Sequence, residues 1–174
     1  LFDTGTNATD CLDYLKSHSL KLSAIFITHQ HKDHICALNQ FTDCHPSAQI
    51  YAAQPSIDLN YAFNLIEPNK PMVYGSFQIE AYSTQGHTED GISFKVTGLS
   101  NTIMFVGDAL FAHSQGGINS REKYQHALKI NRSNILSQVE ETVLAPGHGP
   151  LTTVNHENQN LSLIHISEPT RRYA

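Results

Sequence analysis

Residues 28–34 concentrate side chains that bind metal ions. They read THQHKDH and follow the apolar run LSAIFI directly. In a locally extended chain His29 and His31 point the same way, because strand side chains repeat every two residues. Asp33 and His34 are adjacent in the sequence, so their side chains diverge and can reach a second metal position nearby. Imidazole and carboxylate together suit Zn, and also Fe or Mn, so this one loop could serve two ions.

Three further apolar segments also end in metal-competent residues. SFQIEAYSTQ leads into Gly86-His87-Thr88, NTIMFVG into Asp108, and ETVLAP into Gly147-His148-Gly149. Strand ends on a rigid sheet can hold a site accurately, and glycines let the backbone come close to it. The two oxygens of Asp108 make it the natural bridge between two ions. The candidate metal ligands are His29, His31, Asp33, His34, His87, Asp108 and His148.

The surrounding pattern predicts the elements that must position these residues. It has more strand than helix, with helices between strands, which predicts an α/β layered architecture. We expect helices at 8–18, 35–41 and 122–138, and strands at 22–28, 49–52, 76–83, 91–96, 102–106 and 142–145. Residues 56–71, marked by Pro and Asn, are expected to be irregular, either a surface excursion or a lid. No internal repeat or linker divides the chain, so one domain is predicted over residues 1–160.

Both ends of the chain have unusual sequences. It begins LFDTG, with no initiator Met and no leader, so the sequence leaves a signal peptide open. Leu161 to Arg172 read LSLIHISEPTRR, which resembles a translated sequencing adapter. We therefore expect residues 161–174 to be an artefactual tail that packs poorly and contributes nothing to the site.

Composition narrows the classes of function. The net charge is −5 and no Lys/Arg cluster is present, which disfavours nucleic acid as a partner. No apolar run approaches the roughly 18 residues that span a bilayer, so a small-molecule substrate is expected and a membrane partner is not. The odd set Cys11, Cys36 and Cys44 predicts reduced, mostly buried thiols in a cytoplasmic protein, with Cys36 facing the core. Oligomeric state is not indicated.

Histidine is the one strongly enriched residue, with 11 in 174 positions. Those outside the strand-end motifs stand alone in the sequence, and a lone surface histidine usually has no function. We therefore expect ordinary polar roles for His18, His45, His113, His126 and His156.

The ordered set THQHKDH, GHT, GD and PGHG resembles the metallo-β-lactamase superfamily. LFDTG, VGDALF and APGHGPLTT are similar, more closely, to the glyoxalase II-like hydrolases. The resemblance covers nearly all of residues 1–160. It implies an αββα sandwich with the site at one edge of the paired sheets. The first strands of that fold normally precede LFDTG, so it also implies an N-terminally truncated domain.

The resemblance further implies a ligand set for two divalent ions, with Zn expected first and Fe or Mn as alternatives. His29, His31 and His87 would hold one ion, and Asp33, His34 and His148 the other, with Asp108 bridging. Two such ions lower the pKa of a shared water enough to give hydroxide, which would attack an ester or thioester carbonyl. Asp33 would orient that water or take its proton, so Asp33 and Asp108 are the catalytic candidates. Asp3 and Thr88 are expected to fix imidazole tautomers from behind the ligands.

The substrate stays open on sequence grounds. Hydroxyacylglutathione is the nearest analogy, although Gly116-Gly117 stands where many glyoxalase II enzymes carry a Gly-Arg pair. True β-lactamases of the superfamily lack the bridging carboxylate. Two alternatives remain: a persulfide dioxygenase-like oxidoreductase with one iron, and a non-catalytic, truncated metal-binding remnant.

Overall fold

The computed structural model describes residues 1–54 and 61–164, with side chains as far as Asn160. The first sheet has three parallel strands, β1 (Ala24–Phe26), β2 (Gln49–Ala52) and β3 (Phe63–Leu65). The second has six strands in chain order: β4 (Met72–Tyr74), β5 (Phe77–Ser83), β6 (Ile92–Thr97), β7 (Ile103–Gly107), β8 (Val143–Pro146) and β9 (Thr152–Thr153). The helices are α1 (Thr9–Ser17), α2 (Lys32–Ile35), α3 (Leu38–Cys44), α4 (Arg121–Asn134) and α5 (Val154–Ile164).

Three apolar clusters hold these elements in four layers. Phe26 of β1 meets Phe94 of β6 edge-on, at 5.4 Å between ring centroids, inside a cluster that joins the two sheets face to face. On the outer face of the small sheet, Ile25 packs with residues of α1 and α3. On the outer face of the large sheet, Met104 and Leu144 pack with Ile135 and Leu136, just after α4, and with Val154 of α5. The predicted α/β class and αββα layering are confirmed.

The strand directions bring the ends of four strands to one edge of the paired sheets. β7 and β8 are parallel, with Gly107 paired to Pro146, so Asp108 and His148 follow them on the same side. β5 runs antiparallel to β6, and β6 antiparallel to β7, so β5 also ends at that edge. The backbone N–H of Ile92 donates to the carbonyl of Thr28, which ties the end of the small sheet to the large one.

Several predicted elements differ from the structure. The range 56–71 is not wholly irregular, since β3 lies within it and completes the small sheet beside β2; residues 55–60 lie outside the described chain. The helix predicted at 35–41 is two shorter helices, α2 and α3, and α4 ends at Asn134 rather than at residue 138. Strands β4 and β9 were not predicted, because two- and three-residue strands carry too little alternation to recognise.

Helix α5 was not predicted either, and its backbone continues through Ile164, past the boundary expected at residue 160. The expectation that the tail packs poorly concerns side chains from Leu161 onward, which lie outside the described residues.

The prediction of buried thiols was wrong. Cys36 and Cys44 are exposed and Cys11 is half-buried. The short helix α2 turns His34 toward the interior, and that rotation places Cys36 on the solvent side.

In the described part of the chain, no helix is long and apolar enough to cross a membrane.

Candidate metal centre

His29, His31 and His87 come together where β1 and β5 end. Nε2 of His29 lies 3.2 Å from Nδ1 of His31, and Nε2 of His87 lies 3.0 Å from the same nitrogen. Two nitrogens bound to one tetrahedral zinc ion, each at about 2.0–2.1 Å, are about 3.3 Å apart. The three imidazoles are therefore spaced as ligands of a single ion would be.

Asp33, His34 and His148 form a second group beside the first. Nε2 of His148 lies 2.9 Å from Oδ2 of Asp33, and Nε2 of His34 lies 3.7 Å from that oxygen. His34 is buried, whereas Asp33 and His148 are exposed, so this group opens to solvent on one side. It also has the size of a single-ion site.

Asp108 lies between the two groups. Its Oδ1 is 3.3 Å from Nε2 of His34, and its Oδ2 is 3.6 Å from Nε2 of His87 and 3.8 Å from Nε2 of His148. Within the described residues, Nε2 of His34 and Oδ1 of Asp108 are both buried without a hydrogen-bond partner. These two buried atoms are costly side by side unless a proton or a metal ion lies between them, so the donor set fits bound metal ions.

Asp3 and Thr28 orient two of the imidazoles from behind. Nδ1 of His34 donates to Oδ2 of Asp3 at 2.7 Å. The hydroxyl of Thr28 donates to the same oxygen at 2.8 Å. Since its proton is used in that bond, the hydroxyl oxygen of Thr28 accepts from Nδ1 of His29 at 3.1 Å. Both rings therefore carry the proton on Nδ1 and present Nε2 to the centre. Asp3 thus lies where its expected role would place it; the contact of Thr28 with His29 was not foreseen, although the two residues are adjacent.

His87 is oriented by a different group from the one expected. Its Nδ1 donates to the carbonyl of Gly117 at 2.9 Å. The hydroxyl of Thr88 is buried and finds no hydrogen-bond partner in the described part of the chain. A backbone carbonyl thirty residues away has no sequence signal, which is why Gly117 was missed.

One more carboxylate supports the loop. Oδ2 of Asp90 accepts from the backbone N–H of Gln30 at 3.0 Å, between His29 and His31. This bond fixes the backbone between the two histidines. Asp90 was not among the expected site residues, because nothing in the local sequence pairs it with position 30.

Glycines let the backbone approach the ligands closely. A Cβ at Gly147 would collide with Oδ1 of Asp108 and would lie 2.5 Å from Cε1 of His34. A Cβ at Gly116 would collide with the carbonyl of Asp108 and lie 2.9 Å from Nδ1 of His87. The two positions therefore need glycine for space, since real Cβ atoms do not come so near.

The charges in the centre favour cation binding. Burial, with the nearby charge of His34, lowers the pKa of His29 to about 3, so its imidazole is neutral and able to bind metal. Burial alone would lower the pKa of His34, but Asp108 and Asp3 on either side raise it to about 10. Burial raises the pKa of Asp108 and the neighbouring His34 lowers it, and the net effect is a decrease. A second proton on His34, at Nε2 beside Asp108, would thus occupy the place that a metal ion would take.

Comparison with known proteins identifies the family. Residues 1–162 match the Metallo-beta-lactamase superfamily. The chain belongs to that superfamily. Its relatives include a probable metallo-hydrolase of Streptococcus pyogenes, which is 26% identical in an alignment that covers 95% of this chain and 80% of that protein.

Two other similarities bear on the branch of the superfamily. A hydroxyacylglutathione hydrolase of Francisella philomiragia is 30% identical over 68% of this chain, and the match spans 48% of that enzyme. The chain thus spans about half the length of that relative. Among solved structures, the BLEG-1 B3 metallo-beta-lactamase superposes with a TM-score of 0.78 and 28% identity, covering 93% of this chain and 87% of that one. These similarities therefore include both a hydroxyacylglutathione hydrolase and a metallo-β-lactamase.

Proposed function

We propose that this protein is a metal-dependent hydrolase that cleaves an ester or thioester carbonyl with two divalent ions. One observation carries the proposal: the groups His29/His31/His87 and Asp33/His34/His148 adjoin, and Asp108 lies within 3.8 Å of members of both. A carboxylate so placed could offer an oxygen to each ion. The match to a superfamily that includes probable metallo-hydrolases supports it.

The seven residues would hold the ions as their grouping suggests. His29, His31 and His87 would bind one, Asp33, His34 and His148 the other, and Asp108 both. Zinc is the first choice, because a mixed imidazole and carboxylate set without thiolate suits it, with iron or manganese as alternatives. When bound, such ions supply acidity to a water and polarise a carbonyl oxygen.

Asp33 is the residue best placed to orient the attacking water. It is about half-exposed, and its carboxylate stands at the open side of the centre. Slight burial raises the pKa of Asp33, but its own backbone N–H and His148 lower it below the usual value. It is therefore ionised at neutral pH and can accept a hydrogen bond from a water. That water would be aimed at a carbonyl seated over the ions.

The cleft beside the centre favours a substrate with an anionic group. A cavity of about 440 Å³ opens next to His31 and His87 and is also lined by Glu89, Asn119 and Lys123. Lys123 has its ammonium 3.9 Å from Glu89 and is well exposed, so it is free to turn toward a carboxylate of the substrate. An acyl thioester of a carboxylate-bearing thiol such as glutathione meets this requirement.

Metal-dependent thioester hydrolysis tests the proposal. The purified chain, reconstituted with zinc and assayed for bound metal by mass spectrometry, should hydrolyse an acyl-glutathione thioester, and a chelator should abolish the activity reversibly. A β-lactam assay and an oxygen-uptake assay with glutathione persulfide run in parallel. Hydrolysis of the β-lactam alone would indicate a β-lactamase instead of a thioesterase. Oxygen uptake with one iron per chain would indicate a persulfide dioxygenase. Tight binding of two ions without any turnover would favour a non-catalytic protein.

A further inference from the structure

A second cluster of metal-competent side chains lies outside the seven centre residues. Nε2 of His113 and Nε2 of His156 are 3.3 Å apart, with ring centroids at 4.8 Å. A carboxylate oxygen of Glu157 lies within 4.8 Å of ligand atoms on both histidines. The sequence suggested unrelated polar roles for His113 and His156, because 43 positions separate them.

The spacing of the two imidazoles is that of metal ligands. A separation of 3.3 Å equals the distance, about 3.3 Å, between two nitrogens on one tetrahedral zinc ion. Two neutral imidazoles can face each other this way only if a proton or a cation lies between the nitrogens, since both would otherwise offer lone pairs. The rings are exposed, so an ion from solvent can reach them.

Glu157 supplies a fixed carboxylate to the same place. It is fully buried, which is unusual for a glutamate, and both of its oxygens are engaged. Oε2 accepts from the backbone N–H of His113 at 2.9 Å, and Oε1 accepts from the hydroxyl of Thr152 at 2.6 Å. Each carboxylate oxygen has a second lone pair, so Glu157 can still bind an ion while these bonds hold it in position.

The backbone at His113 agrees with a role for its side chain. His113 has φ +67°, in the left-handed region that glycine or asparagine occupies more readily. The loop that carries it begins at Asp108, and His156 and Glu157 lie in the first turn of α5. An ion held by all three residues would fasten that loop to α5.

We propose that His113, His156 and Glu157 form a binding site for one divalent transition-metal ion, separate from the dinuclear centre. Two imidazoles and one carboxylate leave a fourth position for water, a set that suits Zn²⁺, Ni²⁺ or Cu²⁺ and not Mg²⁺ or Ca²⁺. The site would stiffen the segment that follows Asp108. This proposal does not depend on whether the protein is a thioesterase.

Zinc titration of the protein with its centre already loaded tests the site. After two tightly bound ions per chain are confirmed by native mass spectrometry, ZnCl₂ is added in a calorimeter. The unaltered protein should take up one more ion. His156→Gln and His113→Asn should lose this event or weaken it by at least about tenfold, since loss of even a supporting residue commonly has that effect. Asparagine is chosen because it tolerates the backbone at position 113.

His126→Gln is the matched control, since His126 is exposed on α4 and belongs to none of the metal-competent groups found among the described residues. It should bind the extra ion as the unaltered protein does. A melting curve with and without added zinc gives a second readout, with a rise in Tm for the unaltered protein and the control alone. Absence of a third ion in the unaltered protein, or the same titration in all four proteins, would overturn the proposal.

Discussion

Asp3 and His34 are 31 positions apart in the chain, yet Nδ1 of His34 donates to Oδ2 of Asp3 at 2.7 Å. The other oxygen of Asp3 accepts from the backbone N–H of Thr28 at 2.7 Å. Through the hydroxyl of Thr28 the same carboxylate also orients His29. One carboxylate near the start of the chain thus supports an imidazole in each of the two ligand groups.

Replacing Asp3 with asparagine should weaken metal binding. The amide presents an NH₂ group where one oxygen now accepts, so at least one bond to His34 or Thr28 is lost. Asparagine tolerates the left-handed backbone at this position, where φ is +49°. We expect about a 10- to 100-fold loss of metal affinity. Competition with a chromogenic chelator measures it, and Asp10→Asn on the exposed side of α1 should leave the affinity unchanged.

Replacing Asp108 with asparagine should remove one ion and most of the activity. The amide retains the shape but loses the negative charge and one of the two metal-binding oxygens. The backbone is anchored at the end of β7, so folding should change little. We expect turnover to fall by more than about 100-fold, because loss of a ligand should exceed the effect of losing a supporting residue. Metal counting, thioester hydrolysis and a melting curve give the result; two bound ions with near-normal turnover would contradict the bridging role.

Gly116 and Gly117 should differ sharply although they are neighbours. A Cβ at Gly116 would collide with the carbonyl of Asp108 and press on His87, whereas a Cβ at Gly117 meets nothing within 4 Å. Gly116→Ala should therefore reduce metal content and activity, and Gly117→Ala should leave both nearly unchanged. Metal counting on the two purified variants is the comparison. Equal behaviour would mean that the loop adapts to the added methyl group.

Lys123 should affect substrate binding rather than chemistry. It lines the cleft beside His31 and His87 but is not among the metal-binding groups of the described chain. Under the proposed function, Lys123→Ala should raise KM for an anionic thioester several-fold, with kcat and metal content little changed. Lys129→Ala, another exposed lysine of α4, is the control. A fall in kcat with KM unchanged would assign Lys123 a different role.

The ion pair between Glu80 and Lys95 should make stability depend on pH. The side chains lie on paired positions of β5 and β6, with Nζ of Lys95 2.8 Å from Oε2 of Glu80. Lys95, followed by Tyr82, lowers the pKa of Glu80 below its ordinary value of 4.5. A lowered pKa in the folded state adds stability above the unfolded value, and that stability is lost as pH falls through the folded value.

Glu80→Gln should therefore cost about 1 kcal/mol of unfolding free energy at pH 7, for a pair that is mostly but not fully shielded from solvent. The difference from the unaltered protein should shrink as the pH falls below about 4.5. Urea unfolding at several pH values, with chelator present in both proteins, measures it. Glu67→Gln disrupts a highly exposed pair with Lys70 and should have no measurable effect. A constant difference across the range would assign the loss to packing.

The residues proposed for the metal centre carry a signal in the sequence, because they are metal-competent types that follow apolar strands or stand within a few positions of a strand end. His29, His87, Asp108 and His148 carry that signal locally, and the period of two relates His29 to His31. The layered α/β class followed in the same way, from long strands such as β5 and β6 with strong apolar patterns. Where the pattern was short, as in β4 and β9, it predicted nothing.

Contacts between distant segments were decided only by the tertiary structure. The carbonyl of Gly117 orients His87, and the carboxylate of Asp90 holds the loop at Gln30, through bonds that no local pattern encodes. Likewise, only folding brings His113 to within 3.3 Å of His156. A sequence records the chemical type of a side chain and its periodicity along one element. The direction in which that side chain finds its partner depends on how separate elements pack.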